Sequence, residues 1–168
     1  AKGIVKRDVT QVITPGTISE NKYLQSKSNN YLASIIISKN QQNVAISICD
    51  VSTGELYITE IENENLKEII EEVCEEIIKF YPKEIMTIDS LKENEIIKEI
   101  QKRFSKIFYS HTPDYFAEYS YAYKTLINHF KTLSLKSFGI EDKHLLISLA
   151  GSTIHYISEL AKHSLEHI

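Results

Sequence analysis

Residues 31–61 read YLASIIISKNQQNVAISICDVSTGELYITEI, and this stretch decides the fold. It contains three apolar runs, at 31–38, 43–50 and 55–61, which two short polar turns separate. Runs of this length that are rich in isoleucine predict β-strands. Connections of so few residues force neighbouring strands to be antiparallel. The stretch therefore predicts a three-stranded antiparallel meander.

Upstream, residues 8–14 alternate apolar and polar side chains and predict a further strand. Pro15-Gly16 ends it, because proline lacks the backbone donor and glycine supplies a turn. The polar residues 19–30 predict a loop.

Downstream, the spacing of the apolar residues changes from that of a strand to that of a helix. Apolar residues recur at helical spacing from Leu66 to Ile78, with Asn63 or Asn65 as the cap at the start and Pro82 ending the helix. Residues 84–88 then predict a short strand.

A second helix is predicted from a cap at Ser90 to about Phe104, and residues 106–109 predict another strand. An aromatic helix follows and reaches about Phe130. Because strands that a helix separates are parallel with right-handed crossovers, the order predicts an α/β fold. It is a ribonuclease H-like mixed sheet, an antiparallel meander plus parallel strands, with helices on its faces. A break at 132–139 precedes one long C-terminal helix from 140 to about 164.

Composition favours a folded domain in a reducing compartment. The chain has 168 residues, 42% of them hydrophobic, and no apolar run approaches the ~20 residues of a membrane helix. Cys49 and Cys74 each stand alone in an apolar pattern, which predicts buried free thiols. We therefore expect a cytoplasmic protein with no membrane contact. Because the first residue is Ala1 and not Met, we expect a processed chain or an excised piece.

The charge balance argues against nucleic-acid binding by this chain alone. Its formal net charge is −4, and no basic stripe is visible along the sequence. Proteins that hold a phosphate backbone carry such a stripe. We expect weak DNA binding or none from this segment.

A ribonuclease H-like sheet raises the alternative of a stand-alone metal-dependent nuclease. Such enzymes hold two metal ions with carboxylates on the first strand, the first helix and the fourth strand. Asp89 supplies the fourth-strand candidate and Glu68 or Glu72 the helix candidate, but the strand at 31–38 has no carboxylate. Asp50 ends the second strand, where it is expected to close a turn. The sequence therefore predicts that this chain is not catalytic.

Other chemistry finds little support. The five glycines form no phosphate loop, and Gly-Lys-Ser/Thr does not occur, so we predict no bound nucleotide or other cofactor. His163 and His167 have metal-ligand spacing on a helix, yet no third ligand stands nearby in sequence. His144 and His155 are expected to pack.

Five motifs, in order, resemble the MutS family of mismatch-recognition ATPases. They are the segments KRDVTQVITPGT at 6–17, NYLASI at 30–35, DVSTGE at 50–55, FG at 138–139, and LAGS at 149–152 with LEHI at 165–168. The resemblance implies a MutS connector domain at 1–134 and the beginning of the helical core, or lever, domain at 135–168. ATP and magnesium would belong to the parent protein, outside this chain. Phe116-Ala117-Glu118 spells the family's mismatch probe but stands in the wrong position and lacks the preceding glycine.

The resemblance also implies partners. A connector relays motion between the mismatch-binding and ATPase domains of the parent, contacts DNA through the parent, and helps to dock a MutL-like protein. The segment that resembles the docking helix is 122–130, and Tyr123, Lys124, Thr125 and Asn128 are the predicted docking residues. Some relatives have paired glutamines at Lys124 and Thr125. Besides the nuclease, a small dimeric module joined through the C-terminal helix is an alternative.

Overall fold

The computed structural model describes residues 6–13, 30–130 and 139–166. The described strands are β1 (Lys6–Ile13), β2 (Tyr31–Ile37), β3 (Asn43–Asp50), β4 (Leu56–Glu62), β5 (Glu84–Ile88) and β6 (Phe108–Thr112). The described helices are α1 (Leu66–Phe80), α2 (Glu95–Arg103), α3 (Tyr119–Phe130) and α4 (His144–Glu166).

The described strands form one mixed sheet in the order β1-β4-β3-β2-β5-β6. The meander β2-β3-β4 is antiparallel, and β5 and β6 extend it in parallel on the β2 side. This confirms the predicted ribonuclease H-like arrangement. The upstream strand β1 joins the same sheet, antiparallel to β4 at the opposite edge.

Two apolar layers cover the two faces of the sheet. On one face, α1 and α2 bury isoleucines such as Ile69, Ile77 and Ile100 against alternate residues of the strands. On the other face, residues of α3 and α4 pack with Ile36 and Ile58. Because successive side chains of a strand point to opposite faces, these nearly continuous apolar strands fill both layers at once.

Asparagines fix the starts of α1 and α2. The side chain of Asn65 accepts a hydrogen bond from the Glu68 amide at 3.1 Å, which decides between the two predicted caps. The predicted Ser90 cap is wrong: Asn94 accepts from the Ile96 amide at 2.8 Å and begins α2. Residues Asp89–Leu91 form a short 3₁₀ turn in which the Ser90 amide donates to Asp114 Oδ1.

Other element boundaries also differ from the prediction. β6 covers Phe108–Thr112 and not 106–109, because the buried Ile107 belongs to the turn that precedes the strand. The last helix begins at His144 and not at 140, after a turn in which Gly139 has φ of 73° and Ile140 is buried.

Some predictions fall outside the described residues. These are the Pro15-Gly16 strand end, most of the loop at 19–30, and the break at 132–139 apart from Gly139. The domain division between 134 and 135 stays a prediction, although the first turns of α4 pack on the same sheet as the rest of the chain. Among the described residues, no helix is long and apolar enough to span a bilayer.

Candidate docking surface on the α3 and α4 face

The nuclease candidate Asp89 and the turn residue Asp50 lie at opposite ends of the strands. Asp50 pairs with Tyr31 at the beginning of β2, whereas Asp89 follows the end of the parallel strand β5. The length of β2 therefore separates them, which is about 20 Å at ~3.3 Å per residue. They cannot share a metal ion.

Each of these carboxylates has another role. Asp50 Oδ1 accepts the amides of Ser52 and Thr53 at 3.0 and 3.3 Å, so it closes the turn as predicted. Asp89 Oδ1 lies 2.5 Å from His111 Nδ1 on β6. Across residues 6–13, 30–130 and 139–166, no group of three or more His, Cys, Asp or Glu side chains could hold a metal ion.

The cysteines are buried free thiols, as predicted. Burial, together with the nearby Asp50 charge, raises the pKa of Cys49 to about 12. Burial also raises the pKa of Cys74. Because the thiolate is the reactive form, neither residue is a nucleophile near neutral pH.

A buried cluster of hydroxyl groups joins α4 to the sheet. Ser34 Oγ of β2 lies 2.5 Å from both Ser47 Oγ of β3 and Thr153 Oγ1 of α4, and all three residues are fully buried. Thr153 Oγ1 also donates to the Leu149 carbonyl at 2.6 Å. Each hydroxyl has a partner, so burying the cluster is tolerated and fixes where α4 sits on the sheet.

A second polar contact holds α4 one turn further on. The Glu84 carboxylate at the beginning of β5 accepts hydrogen bonds from Tyr156 and, at 2.6 Å, from Ser110. Burial, together with the hydrogen bond to Glu84, raises the pKa of Tyr156 to about 12. Polar contacts at two levels therefore fix the rotation of α4 about its own axis.

Helices α3 and α4 touch at a glycine. A Cβ atom at Gly151 would lie 2.5 Å from the Cβ of Ala122 and 2.6 Å from its Cα. No side chain fits at that distance, so the two helix backbones approach each other as closely as glycine allows. Helix α3, for which docking is predicted, is thereby held against α4, and α4 is held against the sheet.

The predicted docking residues divide into two groups. Lys124 and Asn128 are exposed and lie four residues apart, on one face of α3. Thr125 is half-buried, and its hydroxyl donates to the Tyr121 carbonyl at 2.9 Å. Tyr123 is also half-buried, with its hydroxyl donating to Glu141 at 2.8 Å. The exposed pair forms the accessible part of the surface.

Beside this pair runs a groove of about 670 Å³ between α3 and α4. Thr125 and Asn128 line its α3 side, and Ser158, Glu159 and Lys162 line its α4 side. A partner on α3 would therefore also reach α4.

His155 lines this groove and packs against aromatic side chains. The ring centroids of His155 and Phe116 lie 3.8 Å apart. The His155 Nδ1 atom is 3.2 Å from the Tyr121 hydroxyl, and its Nε2 atom is 3.4 Å from the Glu159 carboxylate. His144 stacks on Tyr119 at 4.1 Å, so both histidines pack as predicted. Phe116 is buried in this cluster, in agreement with its rejection as a mismatch probe.

Sequence reasoning missed Thr153 and Glu141. A signal for the first existed: Ser34 and Ser47 interrupt apolar strands and Thr153 follows an apolar helical pattern, and isolated hydroxyls in such patterns need partners. No signal pointed to Glu141, because its contact with Tyr123 depends on how the chain returns to the sheet.

Comparison with known proteins finds similarity along the whole chain. The family model described as MutS domain II matches residues 30–168. The DNA mismatch repair protein MutS of Halothermothrix orenii is 38% identical over 169 residues, which cover 100% of this chain and 18% of that protein. MutS of Alkaliphilus metalliredigens is 39% identical over 172 residues, covering 100% and 19%.

The chain thus spans less than a fifth of the length of these relatives. One solved structure, the large terminase nuclease of the thermophilic phage G20c, covers 87% of each chain with a TM-score of 0.49 and 14% identity. A likeness that weak carries no argument about activity.

Fold and surface together define an α/β module whose sheet carries a clamped pair of helices. The whole-length similarity makes the assignment specific: the chain belongs to the MutS domain II family.

Proposed function

We propose that this chain is the connector domain of a DNA mismatch repair protein of the MutS type. It performs no chemistry of its own and couples mismatch binding to the ATPase and clamp domains of the parent. DNA, ATP and magnesium are handled by other parts of the parent, and the chain works in the cytoplasm. The membership in the MutS domain II family supports this role.

The coupling role rests on the attachment of α4. The Ser34–Ser47–Thr153 cluster and the Glu84–Tyr156 contact tie this helix to three strands, so a force applied to α4 moves the sheet with it. Interiors packed in this way shift as bodies and do not deform continuously. A relay between domains requires such a body.

We further propose that a MutL-like protein docks on α3. Lys124 and Asn128 are the exposed contacts, Thr125 lines the groove beside them, and Tyr123 holds the helix in place through Glu141. The observation that carries this proposal is the exposed pair on α3, which packs closely against α4 at Gly151. Because such a surface is rigid, it loses little conformational entropy on binding.

The test measures binding of this chain to the MutL-type protein of the same genome by biolayer interferometry. Lys124→Glu combined with Asn128→Ala should weaken binding about fivefold or more, since both changes fall on the proposed contact. Lys92→Glu is the matched control, because it makes the same charge change at an exposed lysine after β5. Equal affinities of the double variant and the wild type, or no binding by either, would contradict docking at α3.

A further inference from the structure

The free edge of β6 is a second surface, independent of the docking helix. β6 is the last strand on its side of the sheet among the described residues, with β5 as its neighbour. The Phe108 amide donates to the Lys83 carbonyl at 3.1 Å, on the β5 side. Since alternate residues of a parallel strand bond to the same neighbour, the amides and carbonyls of Tyr109 and His111 point outward.

Aromatic and charged side chains surround this edge. The Phe108 side chain is 64% exposed at the beginning of the strand. Lys83 and Lys106 are exposed at the same end, and neither forms an ion pair within the described part of the chain. Asp89 and Asp114 are exposed at the other end, so the edge carries positive charge where β6 begins and negative charge where it ends.

We propose that the β6 edge receives an extended segment of a partner protein as an added strand. The segment carries carboxylates where it passes Lys83 and Lys106, and an apolar side chain that covers Phe108. Its backbone pairs with the outward groups of Tyr109 and His111, and main-chain pairing of this kind supplies affinity while side chains supply specificity.

Charge and size favour this occupant over two others. Nucleic acid requires a longer basic surface than two lysines provide, and the chain as a whole has net charge −4. A second copy joined only through a five-residue strand would bury less area than a stable dimer needs. An acidic extended segment would form ion pairs with the two lysines and hydrogen bonds with the outward backbone groups of β6.

The test uses the 168-residue chain and labelled peptides of about ten residues, a common strand length. The peptides alternate valine and threonine and carry two glutamates at either the amino or the carboxyl end, because the direction of pairing is open. Fluorescence anisotropy measures affinity, and hydrogen exchange measured by NMR locates the contact.

We expect one of the two acidic peptides to bind and to slow amide exchange at Tyr109 and His111. Replacing its glutamates with glutamines, or combining Lys83→Glu with Lys106→Glu in the protein, should weaken binding about tenfold. N-methylation of alternate peptide amides should abolish binding, since it blocks strand pairing. Lys39→Glu with Lys67→Glu makes the same charge changes at exposed lysines away from β6 and should leave affinity unchanged.

Several outcomes overturn the proposal. They are no binding at millimolar peptide, equal binding of the N-methylated peptide, and protection of amides outside β6. Tighter binding of a thymidine oligonucleotide at the same amides would make the edge a nucleic-acid surface. Concentration-dependent dimerisation that protects Tyr109 and His111 would make the occupant a second copy. Thermal unfolding by circular dichroism verifies that each variant is folded.

Discussion

At the scale of single residues, the contact of Gly151 with Ala122 sets the spacing of α3 and α4. Glycine inside a helix normally costs about 1 kcal/mol relative to alanine, because its backbone is freer when unfolded. Here the absent side chain is what lets the helices meet. At this position helix propensity favours alanine, whereas the close packing of the two helices favours glycine.

Gly151→Ala should destabilise the protein, because the added methyl group would meet backbone atoms at 2.6–2.7 Å and not a movable side chain. We expect a net loss of about 2 kcal/mol in the free energy of unfolding, since overpacking outweighs the gain in helix propensity. Urea unfolding followed by circular dichroism measures it.

Ser158→Ala on the same helix serves as the control and should change stability by no more than about 0.5 kcal/mol. A more stable Gly151→Ala variant would mean that the helices separate without cost, and the clamp would then play no part in holding α3.

At the scale of elements, α4 completes the core on one face of the sheet. Its buried residues Leu146, Ile147, Leu149, Ala150 and Ile154 are packed with strand residues and with α3. The resemblance to the MutS family implied that this helix belongs to the next domain. The first half of the helix covers the sheet, and the domain division stays a prediction.

Removal of residues 144–168 should therefore uncover the apolar face that includes Ile36, Ile58 and Leu126. We expect a lower melting temperature and increased fluorescence of the dye ANS, since exposed apolar surface binds it. The full chain under identical conditions is the reference. If the shortened protein melted at the same temperature and bound no dye, the division at 134 and 135 would mark an independent domain, and α4 would not be part of this core.

At the scale of the whole molecule, acidic groups are held neutral on both faces of the sheet. Burial raises the pKa of Cys49, Tyr109 and Tyr156 to about 12 each. In the unfolded chain these groups lose their protons near pH 9 to 10. The folded form then holds more protons than the unfolded form, so stability is complete below about pH 9 and is lost as the pH rises toward 12.

Urea unfolding at several values between pH 7 and 11.5 should show this decline. Cys49→Ala removes one of the groups, so its free energy of unfolding should fall less steeply above pH 9, by up to about 1.4 kcal/mol per pH unit. The variant should start lower at pH 7, because the smaller side chain leaves a cavity. Parallel curves for variant and wild type would show that Cys49 ionises equally in both states.

Much of the architecture was predictable because it follows from local patterns. Isoleucine-rich apolar runs with short turns determined the meander β2-β3-β4, and the change to helical period placed α1, β5 and the later helices in order. The right-handed crossover rule then determined that β5 and β6 are parallel. The exact beginnings of α2, β6 and α4 were missed, since caps such as Asn94 compete with equally plausible neighbours such as Ser90.

The candidate surfaces were less predictable because they depend on groups far apart in the chain. The sequence alone determined the strand and helix order, the buried cysteines and the absence of a carboxylate on β2. Only the tertiary structure decided that Thr153 meets Ser34 across 119 positions, that Gly151 touches Ala122, and that Lys83 and Lys106 share the β6 edge. Local periodicity fixes what each segment is, whereas contacts between segments depend on packing geometry that no single segment encodes.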